Sequence, residues 1–162
     1  MKPSAIATYL TLSVVLVASE PFPLKELAPS VNTLLSSENP DHSELAYIAA
    51  RGTALYLSVA MVFEESGNGG ERDKNVIATM KEQSEQFFKV AVMSGLISKM
   101  TQDSIKERIQ TLMEVYMKEM AQSKKLNNQY FSPVILKDTE SLRKIQPLVA
   151  RLSGEIAKAS KN

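Results

Sequence analysis

One long apolar stretch, residues 43–65, constrains the fold of this chain more than any other feature. It reads SELAYIAARGTALYLSVAMVFEE, with Arg51 as its one basic residue and twelve uncharged residues in a row from Gly52 to Phe63. A surface helix carries an apolar stripe on only part of its circumference, whereas this segment is apolar on nearly every side. Its uncharged part falls short of the roughly twenty residues that span a bilayer. The stretch therefore predicts a helix buried inside a bundle of other helices.

Amphipathic segments on both sides of this stretch predict the helices that surround it. Apolar residues recur there at steps of three and four, while charged residues take the opposite side. The predicted helices are a short one over 24–36 and long ones over 73–93, 103–126 and 138–160. Residues 127–137 are predicted to form a loop with an apolar patch. The expected fold class is all-α, an antiparallel helical bundle of about four longer helices plus a short leading helix, after an N-terminal signal segment.

Particular residues mark where these helices begin and end. Asp41 precedes Glu44 by three positions, as in a capping box at the start of the central helix. Gly95 is predicted to end the helix that begins near residue 73. Pro147 is expected to kink or divide the last helix, because a proline ring removes a backbone hydrogen bond.

Residues 1–19 have the layout of a secretory signal peptide. A lysine, an apolar run and small residues precede Glu20, with Val17 and Ser19 at the −3 and −1 positions of a cleavage site. The uncharged run over 3–19 is seventeen residues long, at the short limit for a bilayer span, so a retained membrane anchor and a core helix are the alternatives. Residues 20–162 are predicted to form a single helical domain. Cleavage would make the protein an exported one, either periplasmic or secreted.

Composition and charge exclude several kinds of chemistry. The chain of 162 residues is long enough to bury a core, and it has no cysteine for disulfides, thiolate metal sites or a thiol nucleophile. Its net charge of +1 argues against a dedicated nucleic-acid binder, which must neutralise phosphates. Residues 20–73 carry three basic and nine acidic residues, and residues 74–162 carry fifteen and nine. These two halves are expected to attract each other within one fold, and steering of a charged partner to one end of the molecule is the alternative.

Few residues are suited to catalysis or to metal binding. His42 is the single histidine, and its place between Asp41 and Glu44 is typical of a helix cap. The adjacent carboxylates Glu64 and Glu65 point about 100° apart on a helix and do not meet at one substrate atom. No catalytic, cofactor-binding or metal-ligating residue is therefore assigned from the sequence.

Arg51 and Gly52 are the two residues of the central stretch that do not fit a plain apolar core. A buried guanidinium must reach solvent along its stem, pair with a carboxylate or contact a ligand, and Glu114 is one conceivable carboxylate partner. Glycine in mid-helix costs about 1 kcal/mol relative to alanine, which close approach of a neighbouring backbone would offset. The candidate polar site, either structural or ligand-binding, consists of Arg51, Gly52, Tyr56, Glu114 and Tyr116.

Three functions are compatible with these observations. The first is an exported, non-catalytic protein with a partner-binding or structural role, whose partner is a protein and not a nucleic acid; it meets a membrane only if residues 1–19 are uncleaved. The second is a carrier or chaperone for an apolar small molecule, held among flexible and aromatic side chains. The residues that would line its pocket are Met61, Phe63, Phe87, Phe88 and Met93. The third is an enzyme of unknown class.

Overall fold

The computed structural model describes residues 23–67 and 70–159, and five helices account for most of this part of the chain. The helices are α1 (Leu27–Ser36), α2 (His42–Ser66), α3 (Glu71–Ile97), α4 (Gln102–Asn127) and α5 (Pro133–Ala159). The predicted fold is confirmed, since the described residues form an antiparallel bundle of four long helices and a short leading one, without a strand. The predicted signal segment, residues 1–19, lies outside the described residues.

The central helix α2 forms the core of the bundle, as its composition predicts. It packs along α3 over most of its length and also contacts the other three helices. Fifteen of its 25 residues are buried. Asp41 caps its first turn, where the carboxylate accepts a hydrogen bond from the Ser43 N–H at 2.9 Å. Removing this much apolar surface from water stabilises the fold, and the other helices bury that surface.

Helix α2 is also the one described helix that is long and apolar enough to cross a membrane. Its most apolar window has a mean hydropathy of 1.5. The expectation that length excludes a membrane span is therefore wrong, because the full helix runs for 25 residues. Within the bundle, 78% of that window is buried, so the predicted packing of this helix among the others is observed.

Helix α3 continues past Gly95, which corrects the prediction that this glycine ends the helix. The helix ends at Ile97, and Lys99 then takes a left-handed φ of 64° while its N–H donates to the Leu96 carbonyl. Gly95 is buried against Ile105 of α4, where an added Cβ would lie 2.5 Å from Ile105 Cδ1. The glycine therefore serves helix packing and not helix termination.

Helix α5 begins five residues earlier than predicted and is not divided at Pro147. Pro133 occupies the first helical position, and the Ser132 hydroxyl accepts a hydrogen bond from the Ile135 N–H at 3.4 Å. Residues 133–137 of the predicted loop are therefore helix, and residues 128–132 connect α4 to α5. Pro147 and Arg143, whose carbonyl loses its partner, are both exposed, so water can hydrate the group that the proline leaves unbonded.

Candidate functional site

Arg51 is the centre of a buried polar cluster that joins three helices. The guanidinium is 1% exposed and donates from three nitrogens. Nε donates to the Tyr116 hydroxyl at 3.0 Å, Nη1 donates to the Lys25 carbonyl at 2.7 Å, and Nη2 forms an ion pair with Asp138 Oδ2. The Tyr116 hydroxyl in turn donates to Asp138 Oδ2 at 2.6 Å. Arg51 therefore ties α2 to α4, to α5 and to the segment ahead of α1.

The electrostatics of this cluster keep Arg51 charged and Tyr116 neutral. Burial acts to lower the pKa of Arg51, but Tyr116 and Asp138 together outweigh it and raise that pKa above its ordinary value. Burial also raises the pKa of the Tyr116 phenol, against the opposing effect of Arg51. Because the guanidinium and the phenol both donate to Asp138, the cluster is a closed network whose partners satisfy one another.

A cleft of about 400 Å³ reaches this cluster from the surface, between residues 24–28 and the first half of α5. Asp138 is one of its lining residues, and the lining also carries both signs of charge, at Lys25, Glu26, Lys137, Glu140 and Lys144. Among the described residues, no group of three or more His, Cys, Asp or Glu side chains is placed to hold a metal ion. Asp138 Oδ2 already accepts two hydrogen bonds, so the cluster is arranged to hold the helices together.

The structure brings together part of the polar site predicted from the sequence. Arg51 and Tyr116 are hydrogen-bonded, and Gly52 adjoins Arg51 in the chain. Tyr56 lies one turn further along α2, where its ring packs against Phe87 at a centroid distance of 5.4 Å. Glu114 is exposed on α4, so its assignment as the partner of Arg51 is wrong.

Asp138 is the residue that the sequence analysis missed. The sequence pattern predicts that the last helix begins at Asp138 and gives this residue no buried role. In the structure it lies in the second turn of α5 and continues the buried seam of that helix, which consists of Ile135, Asp138, Leu142, Ile145, Val149 and Ser153. These positions are spaced by three and four residues, so extending the apolar periodicity back to Ile135 would have placed Asp138 on the inner face.

Gly52 makes room for a side chain, not for the neighbouring backbone that the sequence suggested. Phe87 of α3 lies directly over the glycine, and a Cβ at position 52 would fall 2.2 Å from Phe87 Cδ1 and 2.7 Å from its Cγ. Phe87 is fully buried there, between Gly52 and the Tyr56 ring. The glycine is therefore required by the aromatic packing between α2 and α3.

Alkaline pH is expected to destabilise the fold through its buried tyrosines. Burial, opposed weakly by Arg143, raises the pKa of Tyr56 from 10.0 to about 12. The unfolded chain releases this proton above about pH 10 while the fold retains it, so stability is full below that pH and is lost as pH rises towards 12. The loss from Tyr56 amounts to about 3 kcal/mol. Urea unfolding at a series of pH values measures it, and Tyr56→Phe should lose less; an equal loss in both proteins would contradict the assignment.

The five residues proposed to line an apolar pocket do not meet in one cavity. Phe87 is buried over Gly52, and Phe63 stacks on Phe131 at a centroid distance of 6.1 Å. Met61 and Phe88 are half-buried, whereas Met93 is 41% exposed. The predicted common pocket is therefore wrong, and of these five residues only Met93 lines the groove described next.

An apolar groove of about 350 Å³ runs between the second half of α5 and the last turns of α3, with the start of α2 at its edge. We call it the α3–α5 groove. Its apolar lining consists of Pro40, Leu45, Val90, Met93, Ile97, Leu148, Leu152, Ile156 and Ala159. His42, Ser94, Arg151 and Glu155 are its polar residues. Over the twelve residues from Leu148 to Ala159 it extends for about 16 Å, or three helical turns.

Helix α5 carries one broad apolar stripe in its second half, and part of this stripe lines the groove. Ile145 and Val149 belong to its fully buried seam. Leu148, Leu152 and Ile156 pack against the core but are only partly buried, and they also line the groove. The wall of the groove on α5 is therefore the partly exposed side of a stripe that also packs on the core.

Comparisons of the chain with protein-family models, with curated proteins and with solved structures find no match.

Proposed function

We propose that this chain is a non-catalytic binding protein and that a protein partner occupies the α3–α5 groove. The observation that supports this function is the apolar wall that the partly exposed Leu148, Leu152 and Ile156 form beside Met93 and Ile97. These two side chains are 41% and 53% exposed, and apolar surface of this kind on a soluble domain is typical of an interaction site. The pattern of residues 1–19 predicts that the protein acts after export.

A helical protein segment fits the groove better than an apolar small molecule does. Two helices form its walls over three turns, which is the arrangement that accepts the apolar face of a third helix. A carrier site encloses most of its ligand, whereas Met93 and Ile97 leave this groove open along one edge. Arg151 and Glu155 add one charge of each sign to its lining, which suits the mixed polar rim of a protein partner.

Photo-crosslinking in the host at position 93 tests this function. A photoreactive residue in place of Met93 is expected to give a discrete protein adduct, and the same residue in place of the exposed Thr111 of α4 is expected to give none. Adding Leu152→Glu, which puts a charge on the groove wall, should remove the adduct at position 93. Mass spectrometry identifies the species attached. Identical adducts at the two positions, or none at 93, would overturn the proposal, and a lipid-sized adduct would favour the carrier instead.

A further inference from the structure

Exposed apolar side chains are concentrated at the end of α3, beside the groove. Among the described residues, six large apolar side chains are exposed: Leu35, Met93, Leu96, Ile97, Leu126 and Leu136. Three of these six lie within residues 93–97, in the last turns of one helix. The groove and the side chains that could fill such a groove are therefore present side by side on the same molecule.

The charges that line the groove are self-complementary. Arg151 and Glu155 lie one turn apart on α5, and among the described residues neither forms an ion pair with another side chain. Ser153 lies midway between them along the helix, two residues from each. If two α5 helices pack antiparallel about a two-fold axis at that level, Arg151 of each copy lies opposite Glu155 of the other.

We infer that the occupant of the α3–α5 groove is a second copy of this chain, in a two-fold symmetric dimer. This inference rests on the proposed function and names the partner. Leu96 and Ile97 of each copy enter the groove of the other, and two crossed pairs between Arg151 and Glu155 set the register. The net charge of +1 gives the two copies little mutual repulsion. A ligand with one sign of charge would leave either Arg151 or Glu155 facing a like charge, whereas a second copy pairs both.

Charge reversal at positions 151 and 155 of the purified protein tests the dimer, with sedimentation equilibrium as the measurement. Arg151→Glu and Glu155→Arg are each expected to raise the dimer dissociation constant about tenfold, because both crossed pairs become repulsive. Mixing the two variants in equal amounts should restore association, since each pair is then opposite in sign again. Lys106→Glu, an exposed reversal on α4, should leave the constant unchanged.

A second pair of variants tests the apolar part of the interface. Ile97→Lys places a charge at the groove edge in the last turn of α3 and should leave the protein monomeric but folded. Leu126→Lys makes the same change at a side chain of similar exposure, in the last turn of α4, and should leave the dimer intact.

The outcomes separate this inference from the proposed function. A wild-type protein that stays monomeric at all concentrations, or a dimer that tolerates every variant equally, overturns the second copy as occupant. If position 93 then crosslinks to a different protein, the proposed function stands with another partner. If the wild-type protein is monomeric and position 93 gives no protein adduct, both are overturned.

Discussion

Replacing Asp138 by alanine is expected to lower the free energy of unfolding by about 3–5 kcal/mol, because the change leaves Arg51 charged and unpaired in a buried site. Arg51 is 1% exposed and Asp138 is 3% exposed, so the guanidinium loses its counter-charge in a largely desolvated site. The Tyr116 hydroxyl loses its acceptor at the same time. Urea unfolding at neutral pH measures the change.

Removing both charges should be less harmful than removing one. A buried ion pair that is replaced as a whole by apolar side chains often leaves stability unchanged, whereas breaking it exposes the desolvation cost of the remaining charge. Arg51→Leu together with Asp138→Leu is therefore expected to be more stable than either single variant. Glu114→Ala, which removes an exposed carboxylate from α4, is the control and should change stability by less than about 0.5 kcal/mol. A single Arg51→Leu variant with unchanged stability would show that the pair is not what holds these helices.

Removing the Phe87 ring is expected to destabilise the fold by about 3–5 kcal/mol, as the loss of a buried aromatic side chain does. Phe87 is fully buried between α2 and α3, and its ring fills the space over Gly52 and beside Tyr56. Thermal or denaturant unfolding of Phe87→Ala measures the cost. The same variant also reveals why position 52 is glycine.

Gly52→Ala is expected to destabilise the wild-type protein but to stabilise the Phe87→Ala variant. In the wild-type protein the added methyl group collides with Phe87 and should cost about 1–3 kcal/mol. In the Phe87→Ala background the collision is gone, and alanine should stabilise the helix by up to about 1 kcal/mol. Gly154→Ala on α5, where a new Cβ meets nothing within 4 Å, is the matched control and should stabilise the protein in both backgrounds. If Gly52→Ala stabilises the wild-type protein, Phe87 is not what requires the glycine.

The features that were predicted correctly are those that depend on residues close together in the sequence. The evenly apolar composition of residues 43–65 indicates a helix covered on most sides, and α2 is that helix. Asp41 as a cap and the amphipathic period of α4 also depend on a few neighbouring residues, and both are observed. The predicted start of α5, at residue 138, was wrong because Pro133 and the residues after it resemble a short loop. Proline is nevertheless well suited to the first turn of a helix, and α5 begins at Pro133.

Contacts between distant segments explain the remaining errors. Glu114 and Asp138 are both acidic residues on amphipathic helices, and the rotation of each helix decides which of them faces inward. That rotation places Asp138 against Arg51, 87 residues away in the chain, and leaves Glu114 in solvent. Gly95 resembles a helix end until the close approach of Ile105 is known.

The hydrophobic periodicity of the sequence was enough to predict an all-α bundle, because each helical turn must bury its own apolar side chains. It also identified Arg51 and Gly52 as unusual residues for the buried central helix. Only the tertiary structure decided which groups meet them, Asp138 and Tyr116 for the guanidinium and Phe87 for the glycine. It also decided which apolar side chains of α5 are fully buried and which remain partly exposed along the groove. The physical reason is that each helix carries more apolar surface than one neighbour can cover, and the packing angles of the bundle determine which part remains exposed.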